Sequence, residues 1–378
     1  MRVLAILVVL LALVAANPAM AQGDLIEDAS FLRLTIGGKL VRLEALTVKR
    51  AAATDRLPIA LIAHGTAGSQ GQMSDQHAQD HARQARDLAR RGWLAVVVMR
   101  RGFGRSDGPL PVPLSCKSNS FLERFEGDAD DLVASLNTLA QRPDADPTRV
   151  IAIGASGGGA AVTALSARNP PGLVAVINVS GGLRFEECPK EDALVAAFRA
   201  YGAKSRVASV WIYAKNDSFF RPELVERMRA AFLEGGGDAR LVMLEPDGKE
   251  GHGVFESSTG RDKWLFEMDG LLRALKLPTW TGADVDALMQ KLGAKESFRG
   301  FVEHYIAAPS EKVMAREKGG AYLSYWLGTS TLERARQSAL ELCQRTKPAC
   351  EIIMENDHWL APELRIAEPP PPTGPAAR

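Results

Sequence analysis

Ser156 stands in the stretch RVIAIGASGGGAA, residues 149–161, where apolar residues lead into a single hydroxyl set among four glycines. A serine hydroxyl is a poor nucleophile unless a base takes its proton and an acid orients that base. Three histidines follow it: His252, His304 and His358. His252 lies in DGKEGHGVF, a glycine-rich loop after an apolar run, whereas His304 sits in the helix-patterned FRGFVEHYIA and His358 near the far end of the chain. His252 is therefore the candidate base. Asp217 in KNDSFF comes three residues after the apolar run VASVWIYA, and it is the candidate acid. Asp247, five residues before His252 in the same loop, is the competing carboxylate. The chemistry of such a set is acyl transfer, whose tetrahedral intermediate also needs N–H donors for its oxyanion. The N–H of Gly157 is one candidate donor. The second comes from LIAHGTAGSQG, where Thr66, or failing that Ala67, follows His64 and Gly65. His64 reads as a structural residue that orients this loop.

These side chains act together only if a scaffold gathers them. Strand-like runs alternate with helix-patterned segments from about residue 30 to 275. They run PIALIAH (58–64), QARDLARR (84–91), WLAVVVM (93–99), DADDLVASLNTLAQ (128–141), RVIAIG (149–154) and GGAAVTALSAR (158–168). LVAVINV (173–179), VASVWIYA (207–214), PELVERMRAAFLE (222–234) and ARLVMLE (239–245) continue the series. Such alternation predicts βαβ units and a mostly parallel central sheet with helices on both faces. The runs lack two-residue alternation, as strands buried on both sides do. Gly154-Ala155-Ser156-Gly157-Gly158 fits Gly-x-Ser-x-Gly between a strand and a helix. A sharp turn there lifts the hydroxyl above the C-terminal edge of the sheet and beside the free N–H groups of a helix start.

Residues 1–21 read as a signal peptide: Arg2, an apolar run from Val3 to Val14, then the small-x-small pattern Ala19-Met20-Ala21. Export is expected, periplasmic or secreted, with Gln22 as the mature N-terminus. No other segment is long and apolar enough to span a membrane. The 46 basic and 45 acidic side chains give a net charge of +1 with no basic block, which argues against a nucleic-acid partner. Four cysteines in an exported chain favour disulfides and allow three pairings, of which Cys343–Cys350 with Cys116–Cys188 is expected. The alternating pattern ends near Leu277. Residues 22–277 form the main domain and 278–297 a connector with a short helix. Residues 298–361 read as a small α+β domain (strand, strand, helix, strand), and the Pro-rich 362–378 as a disordered tail.

The His-Gly loop at 64–65, RRGFGRSDG (100–108), DPTRVIAIGASGGG (146–159), Asp217 and His252 together resemble the α/β-hydrolase superfamily. They look most like its dienelactone-hydrolase and prolyl-oligopeptidase-related branch, over roughly residues 30–277. Dienelactone hydrolases proper carry cysteine as nucleophile, where this chain has Ser156, so the resemblance implies ordinary carboxylic esters as substrates. The expectation is an exported serine hydrolase using Ser156, His252 and Asp217, with Gly157 and Thr66 at the oxyanion, a small-molecule ester as partner and no cofactor. Two alternatives stand beside it: a prolyl-oligopeptidase-like peptidase, and an inactive hydrolase fold serving as a binding module. His77 and His81 have the i, i+4 spacing of a metal pair but lack a third ligand, so a solvated helix face is expected. Arg100, Arg101 and Arg105 read equally as anion binders or as structural ion pairs. Phe219, Phe220 and Trp280 read as pocket or packing residues.

Overall fold

In the computed structural model the described residues are 24–67, 70–112, 120–184 and 190–361. The expected signal peptide, the Pro-rich tail, Cys116 and Cys188 lie outside them. Eight strands form the main sheet: β1 (Leu25–Ile36), β2 (Lys39–Arg50), β3 (Leu57–Ala63), β4 (Leu94–Val98), β5 (Ala145–Ala155), β6 (Leu173–Val179), β7 (Ala208–Ala214) and β8 (Asp238–Leu244). Their order is β1-β2-β4-β3-β5-β6-β7-β8, with β2 antiparallel to both β1 and β4 and the remaining pairings parallel. This is the α/β-hydrolase fold. The β1–β2 hairpin turns on Gly37 and Gly38, both with positive φ (55° and 77°), as a two-residue turn of the type that suits the strand twist demands.

The connections are α1 (Gln70–Ser74), α2 (Ala82–Arg90), α3 (Ser120–Leu139), α4 (Gly157–Ser166), α5 (Glu191–Gly202), α6 (Pro222–Glu234) and α7 (Ser258–Ala274). Helices α3 to α6 cover one face, where Phe125, Leu132, Val162, Phe198, Trp211 and Phe232 pack. Helices α2 and α7 cover the other, where Leu88, Ile153, Trp264 and Met268 pack. Every residue of β4 is buried, which explains the continuous apolar runs.

The last part of the chain is a separate small antiparallel unit. It holds α8 (Gly282–Leu292), α9 (Arg299–Ala307), β9 (Val313–Glu317), β10 (Leu323–Trp326), α10 (Leu332–Gln344), β11 (Cys350–Glu355) and β12 (His358–Trp359), with strand order β10-β9-β11-β12. Alternation along β9 sends Val313 and Ala315 toward Ala335, Ala339 and Cys343 of α10. Met314 points the other way, toward Val285, Leu288 and Met289 of α8 and Val302 and Tyr305 of α9. The stretch expected as a connector thus supplies part of this unit's core. Cys343 and Cys350 are disulfide-bonded and tie the end of α10 to the start of β11.

A knot of buried charge joins the two parts. The Asp87 carboxylate accepts from Arg261 Nη2 at 2.7 Å and from the Ser310 N–H at 2.7 Å. Arg261 also donates to the Ser310 carbonyl at 2.6 Å, and Arg90 to the Ser310 hydroxyl at 2.6 Å. Asp87 and Arg261 are both buried. Removing one partner of such a pair leaves the other charged and dry, which costs far more than the pair itself contributes. We expect Asp87→Ala to lower unfolding free energy by about 3–5 kcal/mol, read from the denaturant midpoint. A loss below about 1 kcal/mol, the range of a surface ion pair, would show that the knot is dispensable.

Candidate active site

The site begins with a close approach. Helix α4 starts directly at the end of β5, and its first turn presses on the end of β3. A Cβ on Gly158 would overlap the carbonyl oxygens of Ala63 and His64. Ser156, at the corner, is held at φ 52° and ψ −122°. This is a conformation that costs a non-glycine residue on the order of 1–3 kcal/mol. Three backbone bonds hold it there: Ser156 N–H to Val179 O at 3.0 Å, Gly182 N–H to Ser156 O at 3.0 Å, and Ala160 N–H to Ser156 O at 3.2 Å.

The structure brings Ser156, His252 and Asp217 together from three separate strand ends. His252 Nε2 lies 3.1 Å from Ser156 Oγ, and Nδ1 lies 3.1 Å from Asp217 Oδ2. The Asp217 side chain is fully buried, while that of His252 keeps 17% of its surface open to solvent. The other carboxylate oxygen, Oδ1, accepts the N–H groups of Phe219 at 2.9 Å and Phe220 at 3.0 Å. One oxygen is thus anchored to the backbone and the other is left for the imidazole. Phe219 stacks on that imidazole, with ring centroids 4.3 Å apart. Asp247, the competing acid, is occupied elsewhere: it accepts from Ser257, Thr259 and Lys263 around the start of α7.

Glu250 is a residue that sequence reasoning missed. Its Oε1 accepts the N–H of His252 at 2.8 Å and of Ser218 at 3.1 Å, so it pins the histidine loop to the acid loop. Burial pushes its carboxyl up, but the bonds from Ser218 and His252 outweigh that and hold it below the usual range. Nothing in DGKEGHGVF distinguishes it from Lys249 or a solvated charge; only the fold sets Ser218 beside it.

The two candidate oxyanion donors face each other. A Cβ on Gly157 would overlap Thr66 Oγ1 and lie 3.4 Å from Thr66 N. Neither N–H donates to the backbone of another described residue. His64 sets the path of the Thr66 loop. Its Nε2 accepts the Arg100 backbone N–H at 3.0 Å, so Nδ1 carries the proton and donates to Gly65 O at 2.6 Å. Arg100 in turn donates to His64 O at 2.7 Å. Burial first, and then the charge of Arg100, hold the His64 imidazole well below its ordinary pKa.

The arginines of RRGFGRSDG are ion-paired: Arg100 with Asp128, Arg101 with Asp131, and Arg105 with Glu44. They hold loops rather than offering free charge. The expected solvated His77–His81 face is corrected. His77 precedes a 3-10 turn (Ala78–His81) and bonds Glu44, while His81 is buried against Phe255 before α2 begins. The i, i+4 spacing gives a shared face only on one continuous helix, and there is none here. Trp280 lies in the connector, hydrogen-bonded to Asp269 of α7. His304 bonds Tyr325 and Asp262 on the flank, and His358 is in β12. Among the described residues no group of three His, Cys, Asp or Glu side chains is placed to hold a metal ion, and no helix is long and apolar enough to cross a membrane.

Residues 58–223 match the family described as Hydrolase_4: Serine aminopeptidase, S33. The chain is similar to a putative dienelactone hydrolase from Klebsiella pneumoniae at 18% identity, over 65% of this chain and 98% of that one, with a TM-score of 0.46. It is similar to dipeptidyl peptidase 4 of Porphyromonas gingivalis at 16% identity, over 65% of this chain and 35% of that one, TM-score 0.49. An esterase from Pyrococcus furiosus matches at 13% identity, over 65% of this chain and 90% of that one, TM-score 0.46.

Two buried histidines make stability depend on pH. His64 sits well below its ordinary 6.5, and burial pushes His81 down to about 4. Below pH 6.5 the unfolded chain binds protons at both positions that the folded chain does not, so acidification favours unfolding. We expect stability to fall from pH 6.5 toward pH 4, by up to about 1.4 kcal/mol per pH unit for each histidine. Denaturant midpoints across that window measure it, and His81→Gln should flatten the slope. An unchanged slope would remove His81 from the account.

Proposed function

We propose, for a chain that is an α/β hydrolase by fold and by its family match, that it is a serine hydrolase of carboxylic esters. The observation that carries this reading is the unbroken path Ser156 Oγ, His252 Nε2, His252 Nδ1, Asp217 Oδ2, with both gaps at 3.1 Å. In this scheme His252 Nε2 takes the Ser156 proton as Oγ attacks the acyl carbon. Asp217 holds the ring by Nδ1–H and stabilises the imidazolium that forms. The Gly157 and Thr66 N–H groups receive the oxyanion. The imidazolium then gives its proton to the departing alcohol, leaving an acyl group on Ser156. Water, deprotonated by His252, attacks that ester, and the imidazolium returns the proton to Ser156 Oγ as the acid is released.

A recess of about 20 Å³, room for a single water, borders Phe219 and Phe220, whose rings lie against His252. It is walled by Leu183, Leu194, Phe219, Phe220 and Leu224, with Arg184 and Lys190 at its rim. Glu191, which also borders it, is already paired with Arg221 and Arg227. The match of residues 58–223 to a serine aminopeptidase family is the observation that favours the peptidase reading.

Reaction with a fluorophosphonate, followed by a panel of short acyl esters set against aminoacyl amides, tests the proposal. The wild-type protein should be labelled and should turn over esters faster. Ser156→Ala should lose on the order of 10⁴-fold or more in turnover. Asp217→Asn should be severely impaired, because the amide favours the wrong imidazole tautomer, while Asp247→Asn should not. Faster turnover of aminoacyl amides would give the peptidase reading. An unlabelled wild-type protein would give a binding module.

We further propose that the protein is exported. Residues 1–21 have the order of a secretory signal, and the Cys343–Cys350 bridge suits an oxidising compartment. Intact-mass analysis of the protein from its native cells should find Gln22 at the N-terminus. Retained residues 1–21 would sink this.

A further inference from the structure

A cavity of about 320 Å³ lies between the hydrolase sheet and the C-terminal unit, away from Ser156. Arg50 ends β2, beyond the Val48 that pairs with Ala95, and Arg90 and Arg91 close α2 just before β4 begins. These mark the edge of the sheet where the parallel strands start; Ser156 stands at the edge where they end. Lys291 of α8 and Lys312 come from the other side. The apolar part of the wall includes Trp280, Leu288, Met354 and Trp359.

The five cations are not equally spent. Arg91 is paired with Asp269 at 2.7 and 2.8 Å, and Arg90 with Asp24 at 3.1 and 3.2 Å. Lys312 caps α9, donating to the carbonyls of Tyr305, Ile306 and Ala308. Arg50 bonds only the backbone carbonyl of Arg90, and Lys291 lies over the Trp359 ring at 6.0 Å. Neither has a carboxylate partner among the described residues. Two carboxylates border the cavity. Asp284 is committed to the start of α8 through Thr281 N–H and Oγ1. Asp357, 40% exposed, stands 3.6 Å from Lys312 and 4.0 Å from Arg90. The volume falls at the lower end of the range of small-molecule pockets. Apolar walls, two indole rings and two unneutralised cations are the features that select an amphiphilic anion.

We infer that this cavity is a binding site for a small amphiphilic anion, a compact apolar or aromatic body carrying one carboxylate or phosphate that Arg50 and Lys291 receive. The site is independent of the hydrolase reading, because it shares no residue with the triad. A ligand there touches β2, α2, the connector, α8 and β11 at once, so it also clamps the C-terminal unit to the sheet.

Isothermal titration of the full-length protein with phenylacetate, phenyl phosphate and the neutral phenylacetamide tests this. At least one anion should bind at a single site, and the amide should not. The double variant Arg50→Gln, Lys291→Gln should weaken that binding at least tenfold. Lys291→Arg, which keeps the charge, should retain most of it. Phe219→Ala, beside the triad, should leave it unchanged. Both substituted cations are exposed, and an unaltered thermal transition of the ligand-free double variant checks that the fold is kept. The relative affinity of the two anions tells whether a carboxylate or a phosphate is the natural head group. No saturable binding up to about 10 mM, weaker than the millimolar end of the affinity scale, overturns the inference. So does equal binding of the amide, or loss of binding in Phe219→Ala with the double variant unaffected.

Discussion

Everything at the catalytic edge depends on the backbone of Ser156 being held in the left-handed region. The residue would relax if it could. It is prevented because its N–H is committed to Val179, its carbonyl to Gly182 and Ala160, and the helix behind it is wedged against Ala63 and His64. Relaxation would swing the hydroxyl away from His252. It would also withdraw Gly157 from Thr66, so the candidate nucleophile and the candidate oxyanion donors would be lost together. Glycine at 158 is what permits the wedge, since any side chain would push α4 off β3.

The loops around this corner are fixed by buried polar groups rather than by further apolar packing. His64 joins the end of β3 to the end of β4 through Arg100. Asp128 meets both Arg100 and Arg124, and Asp131 holds Arg101. Glu44 reaches from β2 to the N–H groups of Ala78 and Arg105. Ion pairs out of water add little net stability, because desolvation offsets most of their attraction. What they supply here is direction: each partner admits few geometries, so a loop that satisfies them has few alternatives. Glu250 does the same work on the other side of the site, between the His252 and Asp217 loops.

The parts of the fold written in short-range pattern were legible in the sequence, and the parts written in distant pairings were not. β3 to β7 appear as apolar runs because both their faces are covered, and the Ser156 corner appears because its glycines are adjacent; β8, the edge strand, reads as an apolar run although only Ala239 in it is buried. Cys343 and Cys350 were legible because they are close in sequence. The β1–β2 hairpin was overlooked although TIGGKL carries its two-residue turn. β1 is exposed at half of its residues and has no continuous apolar run to mark it. α5 was overlooked too. His81 was misjudged because the residue that buries it, Phe255, is far along the chain. Similarly, the role of Arg100 depends on His64 and Asp128, which no local reading connects to it. The three candidate catalytic residues could be proposed because each follows an apolar run, and strand ends share an edge in a parallel sheet. Their distances could not.

Arg90 grips Asp24, the first described residue, and comes within 4.0 Å of Asp357, almost the last. One guanidinium thus holds the residue just before β1 and the turn between β11 and β12 near a single point, and the path from one to the other is nearly a closed ring. Tension applied between residues 24 and 361 would load this clasp and the short β12 before it reached any strand that carries Ser156, Asp217 or His252. The clasp sits where the parallel strands begin, at the opposite edge of the sheet from Ser156. A bond lost there would leave the Ser156 corner, with its own backbone bonds, as it stands.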